Sequence, residues 1–424
     1  MSDWSRSSEV QALRVLTRDG WLLFSTRIVR LFAYGFLSVI LALYLAELGF
    51  SDQQIGLLLT ATLIGDALIS LGIASVADRV GRRRMLLVGA GLMILAGLVF
   101  AFTRHLILLV LAAIIGTISP SGNEVGPFLS IEQAALPQTA PDRHRTQVFA
   151  WYNLAGSFST ALGALSAGGL TSLLRHLGSS TLDSYRAVVV GYALLGVGLA
   201  LLFLRLSSAV EVQNSSTLSK SRIGLHRSRG VVARLSMLFA LDSFGGGLVV
   251  QSLVAYWFHV RYGVAPETLG GIFFGANILA GLSALAAARI AARVGLINTM
   301  VWTHIPSNIL LISIPLMPSL PLAVAVLLMR FSISQMDVPT RQSYIMAVVA
   351  PDERSAAAGA TTIVRTAASA ISPTLTGLLL GASLLSAPFF LAGSLKITYD
   401  LLLYRSFRTL RPPEEQVESG NKSL

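Results

Sequence analysis

Long apolar segments alternate with short polar clusters along the whole chain. Most of these segments have about 20 residues or more, the length that an α-helix needs to cross the hydrocarbon core of a bilayer. Glycine, proline and charged residues mark the breaks between them. The pattern predicts twelve membrane-spanning helices, numbered here as spans 1 to 12, at 21–46, 54–77, 85–103, 106–134, 146–173, 185–205, 235–259, 268–288, 299–316, 321–345, 355–382 and 386–404. We therefore expect an all-α polytopic membrane protein.

A polar, serine-rich stretch divides the twelve spans into two groups of six. It covers residues 206–232 and contains Lys220 and Arg222, a composition typical of a solvated linker. We predict an N-terminal six-helix bundle over 1–205, a cytoplasmic linker over 206–232, and a C-terminal six-helix bundle with a cytoplasmic tail over 233–424.

Short sequence matches relate the two halves. Residues 74–81 (ASVADRVG) resemble residues 288–295 (ARIAARVG), and residues 140–143 (APDR) resemble residues 350–353 (APDE). Both matches are separated by about 210 positions, close to half of the chain. Equal offsets at corresponding loops predict duplicated, pseudo-symmetric halves.

Composition and charge support a membrane protein and exclude several other classes. Hydrophobic residues make up 54% of the chain and charged residues only 12%, against roughly 25% charged in a typical soluble domain. The formal charge of +11 does not indicate nucleic-acid binding, because nearly all basic residues outside the spans fall on one side of the membrane when both termini are cytoplasmic. The chain has no cysteine, which excludes disulfides, thiolate metal sites and cysteine catalysis.

The loop between spans 2 and 3 carries the most specific motif. It reads Asp78-Arg79-Val80-Gly81-Arg82-Arg83-Arg84 and resembles the signature loop of the major facilitator superfamily, G-x-x-x-D-R-x-G-R-R, with alanine in place of the first glycine. The resemblance implies two six-helix bundles that rock about a central site, in a transporter that alternates between two open states.

The same resemblance implies a conformational latch formed by Asp78, Arg79, Gly81 and Arg82. Asp78 would accept hydrogen bonds from amides at the start of span 11, where the helix dipole favours an anion. Arg79 and Arg82 would bind carboxylates or carbonyls on neighbouring helix ends. The alternative is that the basic residues only fix topology and contact lipid head groups.

Charged residues inside the spans are rare and expensive, about 2.5 to 3.5 kcal/mol each near the bilayer centre. Most of them fall on spans 1, 4, 7 and 10, which line the central cavity in the family. The set comprises Arg27, Arg30, Asp66, Glu124, Glu132, Asp242, Arg330, Asp337, Arg341, Arg365, Lys396 and Asp400.

Helical spacing places some of these charges on two stripes. Arg27, Arg30 and Tyr34 share one face of span 1, and Arg330, Ser334 and Asp337 share one face of span 10. These six residues, together with Asn123 in span 4, form the predicted substrate cavity. The alternative to a cavity role is that opposite charges four residues apart on one helix neutralise each other. Two such pairs occur, Asp337 with Arg341 and Lys396 with Asp400.

Three buried acids are candidates for proton coupling, because a carboxyl that loses water on burial tends to bind a proton nearer neutral pH. They are Asp66, Glu124 and Asp242. The alternative for each is a plain ion pair with Arg27 or Arg30, which would keep the acid ionised.

Together these features predict a secondary active transporter for a small solute rather than an enzyme. No phosphate-binding loop, metal-ligand spacing or catalytic triad occurs, so we expect no cofactor or metal and an ion gradient as the energy source. Efflux by proton antiport is the preferred direction. Proton-coupled uptake and a non-transporting solute sensor are the alternatives. The buried arginines allow an anionic or zwitterionic solute. We expect a monomer in the cell membrane.

Overall fold

A computed structural model describes residues 16–123, 128–136, 145–211, 226–350 and 353–408, together with Leu410. These residues form α-helices joined by short turns. The helices of the first half are α1 Arg18–Ser38, α2 Leu41–Glu47, α3 Asp52–Val80, α4 Arg82–Phe102, α5 Leu106–Ile115, α6 Phe128–Ala135, α7 Arg145–His176 and α8 Thr181–Leu204. Those of the second half are α9 Arg229–Leu248, α10 Gln251–Tyr262, α11 Pro266–Val294, α12 Leu296–Ser313, α13 Leu320–Phe331, α14 Asp337–Val348, α15 Arg354–Gly381 and α16 Ala387–Phe407.

Each predicted span coincides with one helix or with two consecutive helices. By length and apolarity, seven helical stretches qualify as membrane spans within the described residues, and an eighth qualifies if α1 and α2 are taken together. These are spans 1, 2, 3, 6, 7, 8, 9 and 11. Spans 4 and 10 consist of short helices, whereas spans 5 and 12 are long helices with more polar residues. The prediction of an all-α polytopic membrane protein is confirmed.

Four spans are each built from two helices. Span 1 bends by 42° between α1 and α2, and span 7 is interrupted between α9 and α10. Span 4 contains α5 and α6, and span 10 contains α13 and α14. Among the described residues, the interrupted spans are therefore 1, 4, 7 and 10. These are the first and the fourth span of each half of the chain. Breaks in a helix leave backbone polar groups to be satisfied, so in a bilayer they occur where protein or water replaces lipid.

Helix packing divides the chain into two compact units. The first contains the described residues within 1–217 and 251–274, and the second contains those within 218–250 and 275–424. The second half of span 7 therefore packs with the first unit. The Ser252 hydroxyl donates to the carbonyls of Ser38 (2.6 Å) and Pro120 (2.7 Å), and the Tyr256 hydroxyl donates to Asp52 (2.7 Å). The predicted boundaries at 205 and 233 stay a prediction.

A close helix crossing occurs in each unit and requires glycine. A Cβ atom on Gly35 of span 1 would lie 2.0 Å from the carbonyl oxygen of Thr160 in span 5. A Cβ atom on Gly247 of span 7 would lie 2.3 Å from the carbonyl oxygen of Ser369 in span 11. Gly35 and Gly247 are about 210 positions apart, as are Thr160 and Ser369. The two crossings therefore follow the same repeat as the sequence matches.

Gly35→Ala is expected to lower the free energy of unfolding by about 1–3 kcal/mol or more, because the two backbones must separate to admit the methyl group. The measurement is denaturant unfolding of the purified protein in detergent. Gly91→Ala is the matched control, since a Cβ atom there meets nothing within 4 Å and alanine favours the helix. Equal stability of the two variants would contradict the expected clash.

Candidate functional site

The first unit contains a completely buried ion pair between spans 1 and 4. Arg30 donates two hydrogen bonds to Glu132, each 2.7 Å long, and both side chains have 0% exposure. The hydroxyls of Thr26 (2.9 Å) and Tyr152 also donate to this carboxylate. Four donors thus saturate Glu132, which offsets the cost of removing its charge from water.

Arg27 lies on the same face of span 1 and contacts span 5. Its Nε donates to the carbonyl of Tyr152 (2.8 Å), its guanidinium donates to the amide oxygen of Asn153 (3.2 Å), and it lies 4.2 Å from the centre of the Tyr152 ring. Gly156 makes room for this arrangement, since a Cβ atom there would lie 2.8 Å from the Arg27 Nε. Tyr152 therefore links both predicted cavity arginines.

The second unit contains a larger buried cluster centred on Asp242 of span 7. Lys396 of span 12 donates to Asp242 at 2.6 Å, and Arg341 of span 10 lies 3.3 Å from it. Arg341 also pairs with Asp337 at 2.8 Å, so the predicted i,i+4 pair is confirmed. Asp242, a predicted proton-coupling residue, forms ion pairs, but its partners are Lys396 and Arg341 and not the expected Arg27 or Arg30.

Asp400 and His304 form a second part of this cluster. Nδ1 of His304 lies 2.9 Å from one Asp400 oxygen, and the Asn308 amide donates to the other at 3.2 Å. Nε2 of the same imidazole lies 3.8 Å from Asp242. The predicted pair of Lys396 with Asp400 is wrong, because each side chain finds a closer partner on another helix. Within the described residues, no lysine or arginine contacts Asp400.

The ion pairs of the two units correspond with their charges reversed. Arg30 of span 1 and Asp242 of span 7 are about 210 positions apart, as are Glu132 of span 4 and Arg341 of span 10. In each unit the pair joins the first span of the half to the fourth. A cation on span 1 thus meets an anion on span 4, whereas an anion on span 7 meets a cation on span 10.

Two further arginines occur in the spans of the second unit. Arg330 lies at the end of α13, with its guanidinium 5.1 Å from the centre of the Phe331 ring. Arg365 of span 11 donates from Nε to the Ser243 hydroxyl at 3.1 Å. Ser243 directly follows Asp242 in span 7, so Arg365 lies beside the cluster.

The remaining predicted site residues lie in varied surroundings. Tyr34 is completely buried beside Tyr192, Ser334 is buried in the break of span 10, and Asn123 is exposed. Asp66 is half-buried and accepts from Ser70 at 3.2 Å. Glu124 lies outside the described residues. The stripe of span 1 therefore contributes Arg27 and Arg30 to a buried cluster of the first unit, and the stripe of span 10 contributes Asp337 to the cluster of the second. That the two stripes line one cavity stays a prediction.

The predicted latch loop contacts residues that follow span 6 in the chain. Gly81 adopts a positive φ of 113° at the turn between α3 and α4. The backbone amides of Arg82 (2.7 Å) and Arg83 (3.1 Å) donate to Glu211, and the Arg82 guanidinium donates to the carbonyl of Val210. Glu211 thus caps α4. Arg79 is exposed. The side chain of Asp78 lies outside the described part, and the latch stays a prediction.

In the second unit, Glu353 connects the start of span 11 to the start of span 7. Its carboxylate accepts from the backbone amides of His226 (2.5 Å), Arg227 (2.8 Å) and Ser228 (2.8 Å). The amide of His226 is the main cause that lowers the pKa of Glu353 from 4.5 to about 2. Donors to the ionised form favour that form. This carboxylate therefore stabilises the junction as long as it is charged.

Glu353→Gln is expected to lower the unfolding midpoint most at neutral pH. Because the folded pKa lies below the ordinary value of 4.5, the stabilising effect is complete above that value and is lost as the pH falls toward about 2. The difference in midpoint between wild type and variant should shrink over this window in detergent-solubilised protein. A difference that does not change with pH would contradict the role of the charge.

Several residues of these clusters were not predicted as site residues. The sequence pattern places Glu132 near the cytoplasmic interface and indicates that Tyr152 is an aromatic residue at the membrane interface. His304 is one of several histidines that are scattered along the sequence without metal-ligand spacing. A usable signal was present in the repeat, because the offset that relates Arg30 to Asp242 also relates Glu132 to Arg341.

Comparisons with known proteins agree with this architecture. The sequence profile described as Major Facilitator Superfamily matches residues 23–373. An uncharacterized membrane protein of Saccharomyces cerevisiae is 32% identical over 418 residues, which cover 91% of this chain and 93% of that protein. The crystal structure of the nucleoside transporter NupG has a TM-score of 0.72 at 14% identity, covering 92% of this chain and 99% of that one. The D-xylose-proton symporter has a TM-score of 0.69 at 16% identity, covering 91% and 97%. These two structures share the fold.

Proposed function

Because this chain belongs to the major facilitator superfamily, we propose that it moves a small solute across the membrane by alternating access and couples that movement to protons. The observation that carries the proposal is the buried pair of Asp400 and His304. Ionisable side chains buried in membrane spans are costly and are typical of substrate or ion pathways.

The charge of this pair is set by a proton and not by a fixed cation. Asp242 and Asp337 both contact Arg341, and Asp242 also contacts Lys396. Within the part of the chain that the structure describes, Asp400 accepts only from His304 and the neutral Asn308. One proton therefore changes the net charge of the Asp400 and His304 pair from negative to neutral, which gives proton binding a direct effect on the cluster. Histidine is the side chain whose ordinary titration lies nearest physiological pH.

The predicted roles complete the proposed cycle. Arg27, Arg30, Tyr34 and Asn123 in the first unit, with Arg330, Ser334 and Asp337 in the second, are the proposed solute contacts. Asp78, Arg79, Gly81 and Arg82 are the proposed latch at the cytoplasmic side. Broken spans support this reading, since transporters build solute sites from interrupted helices.

The direction in which protons move during solute entry distinguishes symport from antiport. The sequence interpretation prefers efflux by antiport, with uptake by symport as the alternative. The protein is reconstituted into vesicles that contain a pH-sensitive dye, with equal pH on both sides, and a panel of solutes is added outside one by one. Symport of a solute acidifies the vesicle interior, and antiport makes it alkaline, whichever way the protein is inserted.

Two outcomes would overturn the proposal. If no solute of a broad panel enters the vesicles, transport is refuted, and solute binding without entry would indicate the sensor. If a solute enters with no change in internal pH, proton coupling is refuted. Vesicles without protein are the control for leakage.

A further inference from the structure

The fixed charges in the membrane spans of the second unit do not balance. The cations are Arg330, Arg341, Arg365 and Lys396, and the carboxylates are Asp242, Asp337 and Asp400. The ion pairs use Arg341 and Lys396. Arg330 and Arg365 contact no carboxylate within the part of the chain that the structure describes.

Arg330 also keeps a buried hydrogen-bond donor without an acceptor. Its Nε is shielded from solvent and donates to no atom of the described residues. A guanidinium has five N–H donors, and a buried donor without an acceptor destabilises the folded protein, more so when it is charged. Arg365 is partly exposed and, among the described residues, donates only from Nε to Ser243, so its other donors stay available to a ligand.

A second buried donor lies four residues further along span 10. The Ser334 hydroxyl, in the break that follows α13, is buried and has no hydrogen-bond partner among the described residues. Arg330 and Ser334 precede Asp337 on span 10, and Arg365 donates to Ser243, the residue directly after Asp242. Asp242 and Asp337 both contact Arg341, so one cluster connects these positions, and the two acids already accept from Arg341 or Lys396. An acceptor from outside the described residues can therefore pair with these donors.

We infer that the transported solute carries an anionic group, a carboxylate or a phosphate, which binds at Arg330 and Arg365 with Ser334 as a further donor. The planar donor fork of a guanidinium matches the paired oxygens of either group. This inference rests on the proposed transport function. The solute then belongs to the chemical class of anions, and the surplus positive charge of the second unit serves to bind it.

Binding to the purified full-length protein in detergent tests the inference without requiring transport. The probes are inorganic phosphate, glucose 6-phosphate and succinate, with glucose and succinamide as uncharged counterparts. At least one anion should raise the thermal unfolding midpoint in a saturable way, and its counterpart should not. Phosphate and succinate distinguish a phosphate site from a carboxylate site. Arg330→Gln and Arg365→Gln should each weaken the binding about tenfold or more. Arg293→Gln, at an exposed arginine near the end of α11, should leave the binding unchanged.

A second measurement uses the wild-type protein and does not depend on how the variants fold. Phenylglyoxal modifies arginines, and peptide mass spectrometry reads the modification at Arg330 and Arg365 with and without the anion. Protection at these two positions, but not at Arg293, supports the site. The inference is overturned if none of the anions binds or if a bound anion protects neither arginine. Transport of an uncharged solute in the vesicle assay would overturn the inference and leave the proposed function intact. Arginine-dependent anion binding without any flux would refute transport and leave only the assignment of Arg330 and Arg365 as an anion-binding site.

Discussion

Glu132→Gln is expected to lower the free energy of unfolding by about 3–5 kcal/mol, the range found when one partner of a buried ion pair is removed. The variant leaves the Arg30 guanidinium charged, completely buried and without its counter-ion. Unfolding by denaturant in detergent measures the effect. A neutral, similarly sized replacement of both partners, Arg30→Met with Glu132→Leu, should recover much of the loss, because the desolvation cost disappears with the charges.

An exposed ion pair provides the matched control. Arg186 and Asp183 lie at the same 2.7 Å separation as Arg30 and Glu132, but their side chains are 29% and 60% exposed. Asp183→Asn should cost less than about 1 kcal/mol, since exposed pairs are weak. If Glu132→Gln proved as mild as Asp183→Asn, the buried pair would contribute little to stability.

His304→Gln and Asp400→Asn are expected to abolish proton-driven accumulation of the solute. Without an ionisable pair, the proton gradient has no group to act on, so the solute should only equilibrate across the membrane. Exchange of labelled for unlabelled solute, which needs no net proton movement, should persist. The two measurements together separate a coupling role from a role in folding or solute binding.

The control for these variants is His176→Gln, a histidine that is exposed at the end of α7. It should accumulate the solute as the wild type does. Accumulation that persists unchanged in His304→Gln and in Asp400→Asn would exclude this pair as the coupling site. Loss of exchange together with accumulation would instead assign the pair to binding or stability.

The positions of the membrane spans could be predicted from the sequence, whereas the breaks within them could not. Twenty apolar residues identify a span wherever they occur. The break in span 1 falls at Val39 and Ile40, which are as apolar as the helices on either side. Hydrophobic pattern therefore carries no information about such a break, which depends on packing against other helices.

The candidate site was predicted in part, for a similar reason. Helical spacing correctly paired Asp337 with Arg341, because both lie on one helix and their distance is fixed by the helix itself. The same rule failed for Lys396 and Asp400, whose partners come from spans 7 and 9. Contacts between helices that are distant in the chain follow from the fold, so local spacing does not predict them.

The charge reversal between the two ion pairs limits how the halves can diverge. If one six-helix ancestor gave rise to both halves, its pair had either the Arg30 and Glu132 arrangement or the Asp242 and Arg341 arrangement. A single charge-reversing substitution from either state buries two like charges in contact, which costs free energy even where Asp337 or Lys396 still pairs with one of the original charges. Positions 30 and 132, and likewise 242 and 341, are therefore inherited as pairs. Among related sequences, the two residues of each pair should change together. Covariation at these positions would then show which charge arrangement the ancestral half had.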